Sequence, residues 1–307
     1  MSEPDAVSLP GPVVAVLGPT AVGKSALGLD LALRLGGEII NADSMQLYRG
    51  MDIGTAKLPL SERRGVAHHL LDVWPVTRTA SVADYQQLAR AVIDELLQRS
   101  VTPILVGGSG LYLRAALDDL RFPGTDPAVR SRWEQELTRC GPAELHARLH
   151  AVDPPAAARI GPANGRRIVR ALEVIELTGR PYSAALPAYR SVYDVVHIGL
   201  DTDPATLDRR MTERVDRMWA AGLLAEVRGL VPKGLREGVT ASRALGYAQA
   251  LAHLDGAASE EAAKADTARA TRRFARRQRS WFRPDPRIRW YDAARVEAAD
   301  IARTIEA

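Results

Sequence analysis

The sequence predicts an α/β fold built on a doubly wound parallel sheet, with an inserted helical subdomain. Over the first hundred residues, short apolar runs alternate with amphipathic helical patterns, as in parallel sheets that are covered by helices. Glycine-rich or polar turns follow the apolar runs, and such turns form ligand sites at the strand ends of these sheets. From 120 to 190 the strand signals stop, and prolines punctuate a helical stretch.

The first five elements alternate between strand and helix. Strands are expected at 13–17, 38–42 and 102–106, and helices at 24–35 and 82–99. Because parallel strands end at one edge of their sheet, the residues that follow these three strands should gather around one ligand. These residues are Gly18, Asp43 and Gly107 to Ser109.

The later elements complete the sheet after the insertion. A strand at 194–200 returns the chain to the sheet, and residues 287–291 form a last short strand. Three helices are expected between these two strands, at 204–230, 242–254 and 260–282.

The chain is long enough for one large core and one smaller subdomain. It has 307 residues, of which 46% are hydrophobic. The predicted catalytic core comprises 12–117 and 192–292 and includes the C-terminal helices. The predicted insertion comprises 118–191.

The composition excludes several classes of protein. No apolar run approaches the ~20 residues that span a bilayer, and the N-terminus, with Glu3 and Asp5, lacks the layout of a signal peptide. A cytoplasmic protein without membrane contact is therefore expected. Cys140 is the single cysteine, so the chain can form neither an intrachain disulfide nor a cysteine-rich zinc site.

Residues 18–25 form the most specific single motif. Their sequence, Gly18-Pro19-Thr20-Ala21-Val22-Gly23-Lys24-Ser25, fits the P-loop pattern and follows the first predicted strand. In such a loop, backbone N–H groups turn toward an oxyanion, and the next helix adds its positive N-terminal end. Lys24 supplies a cation and Ser25 a hydroxyl that can ligate Mg²⁺. The motif predicts a phosphate site in a P-loop NTPase-like core.

Two other strand ends carry groups suited to phosphate chemistry. Asp43 could ligate Mg²⁺ or accept a proton from a nucleophile, or it could cap a turn. Ser109 could hydrogen-bond a phosphate, or it could cap the helix that follows. The residues alone leave these alternatives open.

Arginines are concentrated near the C-terminus. On a helical wheel, seven arginines between 269 and 283 share one face, with no acid among them, while Phe274, Trp281 and Phe282 lie on the other face. This pattern favours contact with nucleic acid over a solvated charged face. The seven are Arg269, Arg272, Arg273, Arg276, Arg277, Arg279 and Arg283.

A second basic pattern lies at 166–175, in the predicted insertion. Arg166 and Arg170 point away from the apolar face of that helix. The two arginines could contact a phosphate backbone, or they could pair with Glu173 and Glu176 on a surface helix. Spacing alone does not separate these alternatives.

Eight short motifs occur in a characteristic order along the chain. They are GPTAVGKS at 18, DSMQLY at 43, MDIGTAK at 51, HHLLD at 68, GGSGLY at 107, RRIVRALEV at 166, RALGY at 243 and RRQRSWFR at 276. With these motifs the chain, from about residue 12 to residue 290, resembles the bacterial tRNA dimethylallyltransferases, the tRNA isopentenyltransferase family. The ordered set is far more specific than the P-loop alone.

The resemblance implies a reaction. The P-loop would hold the pyrophosphate of dimethylallyl diphosphate, and the prenyl group would pass to N6 of the adenosine immediately 3′ of the anticodon. Asp43 would be the general base, while Lys24, Ser109 and Arg214, with Mg²⁺ on Ser25, would stabilise the leaving pyrophosphate. Because adenine N6 is a poor nucleophile, positioning should contribute as much as proton removal.

The resemblance also implies that a tRNA anticodon stem-loop binds partly through the inserted subdomain, and we expect the protein to be a monomer. An inner base of the loop must be everted to reach a catalytic pocket. The implied tRNA-binding residues are Asp43, Ser44, Met45, Gln46, Ser109, Arg130, Arg166, Arg167, Ile168, Val169, Arg170, Arg243, Ala244, Leu245, Gly246, Tyr247 and Ala248. Two departures from the family pattern are Ser109, where threonine is usual, and Ala163-Asn164-Gly165, in place of an Asn-Asp pair.

Two other functions fit parts of the sequence. A small-molecule or nucleotide kinase would use the same P-loop for ATP and Asp43 as the base toward a hydroxyl. A tRNA-binding P-loop protein without catalytic activity would bind RNA and release no product. No separate strand ends in an obvious second magnesium aspartate, and no adenine-binding motif is evident, which favours prenyl transfer over a kinase.

Overall fold

The computed structural model describes residues 11–182 and 189–306. The expectation about the N-terminus, with Glu3 and Asp5, lies outside these residues, as does part of the predicted insertion. The chain divides into two compact units. The core unit extends to Asp118 and resumes at Ser191, and the inserted unit is Asp119–Arg190.

A six-stranded sheet forms the centre of the core unit. Its strands, all parallel, have the order β3-β2-β4-β1-β5-β6. They are β1 (Val13–Leu17), β2 (Glu38–Asn41), β3 (His68–His69), β4 (Pro103–Gly107), β5 (Val195–Asp201) and β6 (Arg289–Asp292). The predicted α/β fold with a parallel sheet is confirmed. Only β3 was not predicted, because two residues are too few to show a strand period.

Helices cover both faces of the sheet in the core unit and form the inserted unit, which contains α4 to α6. In chain order they are α1 (Lys24–Leu35), α2 (Val82–Gln98), α3 (Gly110–Leu117), α4 (Pro127–Val152), α5 (Pro154–Arg159), α6 (Gly165–Thr178), α7 (Pro204–Ala220), α8 (Leu223–Leu230), α9 (Tyr247–Leu254), α10 (Glu260–Phe282) and α11 (Ala298–Glu306). Among the described residues, none of these helices is both long and apolar enough to cross a bilayer.

Side chains of the central strands belong to two hydrophobic cores, one on each face of the sheet. In β1, Val14 and Val16 belong to the core that contains the buried side of α1. Ala15 and Leu17 belong to the core that contains residues of α2, α8 and α9. This alternation follows from the two-residue period of a strand. Because both faces are covered, β1 and β4 are buried along their whole lengths.

Two predicted helices are shorter than expected because a glycine interrupts each. The helix predicted at 204–230 is divided into α7 and α8 at Gly222, whose φ is 99°. The helix predicted at 242–254 begins only at Tyr247, after Gly246 with φ of 86°. Both values lie in the left-handed region that ends or precedes helices. Helix α11 was not predicted.

The register of the sheet brings three loops together. Leu17 lies beside Gly107, and Asn41 lies beside Val106. The residues that follow β1, β2 and β4 therefore start at the same edge, as the sequence predicts for parallel strands.

The inserted unit has its own small core. Leu145 and Leu149 of α4 pack against Ile168, Val169 and Leu172 of α6. Asn164, in the segment that departs from the family pattern, is the N-cap of α6, and its side chain accepts a hydrogen bond from the N–H of Arg167 at 3.3 Å. The local turn is thus an ordinary helix start.

Candidate active site

The P-loop connects β1 to the N-terminus of α1. Gly18 has φ of 140°, and a Cβ atom there would lie 2.3 Å from the Leu200 carbonyl oxygen, so only glycine fits. None of the N–H groups from Ala21 to Ala26 donates to an acceptor among the described residues. Together with the helix N-terminus, these donors form a cradle suited to a phosphate group.

Lys24 extends back over the loop. Its Nζ donates to the Pro19 carbonyl oxygen at 2.7 Å. Desolvation lowers the pKa of Lys24 to about 7, an effect that Asp43 opposes and Arg214 reinforces. An anion bound beside Lys24 would raise this pKa again by stabilising the ammonium form.

Arg214 reaches the P-loop from α7. Its guanidinium donates to Thr20 Oγ1 at 3.1 Å and to the Thr55 carbonyl oxygen at 3.2 Å. Burial lowers the pKa of Arg214, and the carboxylate of Asp43 opposes that shift. Two cations, Lys24 and Arg214, therefore lie near one carboxylate at the strand ends.

The segment that follows β2 fixes Asp43. The Asp43 N–H donates to Asn41 Oδ1 at 2.9 Å, and Asp43 Oδ1 accepts from the N–H of Met45 at 2.9 Å. Asn41 is itself held by the Leu70 carbonyl oxygen and by the hydroxyl of Tyr85. Asp43 thus caps a turn through one oxygen. Its Oδ2 accepts no hydrogen bond from the described residues, so both predicted roles are compatible.

Ser109 does not cap α3. It occupies the N-cap position, but its side chain makes no capping hydrogen bond. Instead, Ser109 Oγ accepts from the N–H of Ser44 at 3.3 Å. The helix-cap alternative is therefore wrong, because the hydroxyl is directed toward the segment that carries Asp43.

A cavity of about 310 Å³ lies above these groups in the core unit. Asp43, Ser109 and Arg214 line its polar part. A smaller cavity of about 80 Å³ shares Asp43 and Arg214 and also contacts Lys24 and Ser25. The apolar wall of the larger cavity includes Met211, Val215, Met218 and Phe274. The site can therefore accommodate a charged group next to an apolar one.

The donors of this site fit a magnesium ion that is held mainly by substrate. No group of three or more His, Cys, Asp or Glu residues among those described could hold a metal ion. Mg²⁺ commonly takes few protein ligands when phosphate oxygens and water supply the rest. The exposed Ser25, at the start of α1, offers one such oxygen.

The arginines of α10 differ in their surroundings. Arg277 lines the larger cavity and stacks on Phe274 at 5.7 Å. Arg279 pairs with Asp201 at 2.7 Å, and Arg269 pairs with Asp266 at 2.5 Å. The expected uncompensated stripe is therefore partly neutralised by acids outside 269–283. Four of the seven arginines remain exposed and form no ion pair with the described residues. They are Arg273, Arg276, Arg277 and Arg283.

The aromatic residues of α10 do not share one buried face as expected. Phe282 is buried in the core, whereas Phe274 is half-buried at the cavity. Trp281 is 39% exposed and packs against Gly110, where a Cβ atom would lie 2.0 Å from its ring.

The predicted tRNA-binding residues of α6 separate into buried and exposed groups. Ile168 and Val169 are buried in the core of the inserted unit, so their side chains cannot contact RNA. Arg166 and Arg167 are exposed. Any RNA contact at Ile168 and Val169 would therefore come from the backbone, and their assignment stays a prediction.

Arg170 has a structural role within the inserted unit. It donates to the Pro123 carbonyl oxygen at 2.6 Å and pairs with the fully buried Glu173 at 2.9 Å. Arg130 pairs with the same carboxylate at 3.3 Å. Glu176 instead pairs with Arg132. Of the two alternatives for Arg170, the observed contacts favour the ion pair with Glu173.

The segment 243–248 also divides by exposure. Arg243 is exposed and lines the larger cavity, and Leu245 and Ala248 are half-buried. The side chain of Tyr247 is buried, and its hydroxyl donates to Glu226 Oε1 at 2.5 Å, so RNA contact at this position stays a prediction that does not involve the side chain. Ala244 and Gly246 are buried as well.

Glu226 is a residue of the site region that the sequence did not reveal. Its carboxylate accepts from the N–H groups of Asp52, Ile53 and Gly54 at 2.7 to 3.3 Å. These residues precede Thr55, whose carbonyl oxygen binds Arg214. A single glutamate in an amphipathic helix gives no signal of such a contact.

The same carbonyl oxygen of Thr55 also accepts from Gln46 Nε2 at 3.1 Å. Gln46, like Ser44 and Met45, belongs to the predicted tRNA-binding segment after β2. Ser44 and Met45 line the larger cavity, and Gln46 lines the smaller one.

Comparison with known proteins identifies relatives over almost the whole chain. A family model described as IPP transferase matches residues 46–285. The chain is 64% identical to the tRNA dimethylallyltransferase of Salinispora arenicola, over 97% of this chain and 87% of that protein. It is 69% identical to the tRNA dimethylallyltransferase of Frankia alni, over 90% of this chain and 95% of that protein.

Solved structures show the same architecture. A tRNA isopentenylpyrophosphate transferase from Bacillus halodurans matches with a TM-score of 0.72 and 40% identity, covering 96% of each chain. A eukaryotic dimethylallyltransferase acting on tRNA matches with a TM-score of 0.79 and 28% identity, over 92% of this chain and 73% of that chain. These similarities, together with the P-loop site, show that the chain belongs to the IPP transferase family.

Proposed function

We propose that this chain transfers the dimethylallyl group of dimethylallyl diphosphate to N6 of the adenosine immediately 3′ of the anticodon in tRNA. The products are N6-isopentenyladenosine and pyrophosphate. The observation that carries this proposal is a pair of cavities that share Asp43 and Arg214: Lys24 lines the smaller cavity, and the apolar wall belongs to the larger one. The names of the relatives support the same reaction.

The cations and the P-loop bind the diphosphate. The N–H groups from Ala21 to Ala26, with Lys24 and Arg214, would bind the leaving group, and all of these residues line one cavity. As the bond between the prenyl carbon and the diphosphate oxygen breaks, negative charge accumulates on that oxygen. Fixed donors and cations stabilise this charge more in the transition state than in the ground state. Ser109 Oγ adds a hydroxyl at the same edge.

Asp43 accepts the proton. The new bond forms between N6 of adenine and the prenyl carbon, and the amine nitrogen then loses one proton. Asp43 Oδ2 is the acceptor, because Oδ1 is engaged by the N–H of Met45. The apolar wall formed by α7 and α10 would pack against the prenyl chain.

A magnesium ion would be held by Ser25 Oγ and by oxygens of the diphosphate. When bound, it supplies additional positive charge against the leaving group. The residues described above bind and orient the substrate around it.

The RNA binds through exposed cations. Arg243 and Arg277 line the cavity that receives the base, and Arg273, Arg276 and Arg283 extend the basic surface along α10. The inserted subdomain contributes Arg166 and Arg167. We place this reaction in the cytoplasm, and we expect a monomer.

One assay separates this function from its alternatives. Purified protein and Mg²⁺ are mixed with an anticodon stem-loop that contains adjacent adenosines, and with either labelled dimethylallyl diphosphate or labelled ATP. We expect label on the RNA only from the prenyl donor. Transfer of phosphate from ATP would indicate a kinase, and RNA binding without transfer from either donor would indicate a non-enzymatic tRNA-binding protein.

A further inference from the structure

Gln278 of α10 lies between the two glycine-rich loops of the site. It is 6% exposed. Its Oε1 accepts from the N–H of Thr20 at 2.9 Å, and its Nε2 donates to the Gly108 carbonyl oxygen at 2.8 Å. One amide therefore bonds to the P-loop and to the turn after β4 at the same time.

The two loops carry different groups of the reaction. The P-loop carries Lys24, and Thr20 Oγ1 accepts from Arg214. Gly108 directly precedes Ser109, whose hydroxyl accepts from the N–H of Ser44 next to Asp43. The separation between the diphosphate-binding cations and the predicted base therefore depends on how these loops are held together.

The contact leaves little room for another side chain. A Cβ atom at Gly108 would lie 2.2 Å from Gln278 Nε2 and 3.2 Å from the Gly18 carbonyl oxygen. The position needs a donor and an acceptor at the end of an unbranched, uncharged side chain. Among the twenty side chains, glutamine alone has this length and both groups.

We propose that Gln278 is a positioning residue for prenyl transfer. By fixing the Thr20 N–H and the Gly108 carbonyl oxygen, its amide holds the P-loop and the turn that carries Ser109 at a fixed separation. The residue touches neither substrate. This inference rests on the proposed function and adds to it a role for a side chain that lies on the buried side of a basic helix.

The test compares Gln278→Met with Gln86→Met. Methionine keeps the length of the side chain and loses both hydrogen bonds. Gln86 is a suitable control because it also donates to a backbone carbonyl, that of Ala115, away from the cavity. For Gln278→Met we expect kcat to fall about 10- to 100-fold and inorganic pyrophosphate to bind about 10-fold more weakly, with stem-loop affinity unchanged. Gln86→Met should retain kcat and pyrophosphate affinity.

A second variant perturbs the same contact from the other side. In Gly108→Ala the added methyl group displaces the Gln278 amide, so the loss of kcat should resemble that of Gln278→Met. The double variant should lose little more than either single variant, because both remove one connection. Wild-type kcat and pyrophosphate affinity in Gln278→Met, or additive losses in the double variant, would overturn the proposal.

The experiments distinguish a failure of the proposed function from a failure of the positioning role of Gln278. If the wild-type protein transfers no prenyl group, the proposed function fails, while the pyrophosphate measurements still test whether Gln278 positions the P-loop. If wild-type transfer is observed and Gln278→Met behaves as the wild type, only the positioning role fails.

Discussion

At the scale of single residues, the two carboxylate oxygens of Asp43 have different roles. Asp43 uses one oxygen to fix its own turn and leaves the other directed toward the cavity. The sequence placed Asp43 at a strand end but could not decide between the structural and the chemical role. The structure makes the two roles compatible, since a carboxylate has more than one acceptor site.

The first prediction concerns this carboxylate. Asp43→Asn keeps the acceptor for the Met45 N–H and removes the base, so RNA and pyrophosphate should still bind. Single-turnover transfer should slow by about 10²- to 10⁴-fold, the range typical of a removed general base. A rate within about twofold of wild type would reject the role of Asp43 as base.

The second prediction concerns Lys24 and pH. Because the pKa of Lys24 is lowered to about 7, the free enzyme loses this proton as the pH rises above 7. A bound diphosphate favours the ammonium form, so binding takes up a proton above pH 7. Its affinity should therefore decrease between pH 7 and 9, by at most about tenfold per pH unit. Calorimetry in buffers of different ionisation enthalpy measures this uptake.

Lys24→Arg provides the control for this pH effect. An arginine stays protonated over the whole range, so its variant should show only the proton uptake that arises from the diphosphate itself. Equal proton uptake by the two proteins would contradict the assignment to Lys24.

At the scale of elements, segments distant in sequence support the catalytic side chains. Glu226 of α8 bonds three N–H groups of the loop 52–54, and this loop carries the Thr55 carbonyl oxygen that binds Arg214. Tyr247 supports Glu226 from α9. The motif that contains Tyr247 therefore serves, in part, to hold a loop rather than to bind RNA.

The third prediction tests this support. In Glu226→Gln the neutral amide is a weaker acceptor for the three N–H groups, so the loop should loosen and Arg214 should be less well placed. We expect kcat/KM to fall about 3- to 30-fold, measured by steady-state transfer. Glu237→Gln changes an exposed glutamate outside the cavity and should retain normal activity. Normal activity of Glu226→Gln would indicate that the loop does not depend on this carboxylate.

The fourth prediction separates the arginines of α6. Replacement of Arg166 and Arg167 by alanine should weaken stem-loop binding and make its salt dependence shallower, because two phosphate contacts are lost. The measurement is the affinity at several salt concentrations. An unchanged salt slope would assign both residues to a solvated surface.

Arg170→Ala should behave differently. It leaves Glu173 with fewer partners in a buried position, so the main effect should be on stability, with a loss of about 1–3 kcal/mol. Chemical denaturation of the full chain measures this loss. A purely RNA-binding phenotype with unchanged stability would contradict the structural role.

At the scale of the whole molecule, local patterns predicted the sheet and the position of the site. The bounds of α1 and α10 agree with the predicted ones, because their periodicity and caps are local properties. The short strand β3 and the helix breaks at Gly222 and Gly246 were missed. These features depend on neighbouring strands and on left-handed backbone conformations that a periodic pattern does not show.

The site was only partly predictable for the same reason. Motifs identified the P-loop, Asp43 and Ser109, but not the contacts of Glu226 and Gln278, which join residues far apart in the chain. The sequence also did not show which residues of the motifs are buried. Ile168, Val169 and Tyr247 lie inside recognised motifs, yet they are core residues. A motif records that residues occur together without showing which of them reach the surface.

The most direct test of the central claim is the position and stoichiometry of transfer by the wild-type protein. Two stem-loops are compared, one with adenosine immediately 3′ of the anticodon and one with inosine there, which lacks the N6 amine. With labelled dimethylallyl diphosphate, we predict that one pyrophosphate is released for each prenyl group attached, and that the label is found on that adenosine alone. Equal labelling of the inosine stem-loop, or no labelling of either RNA, would contradict the account.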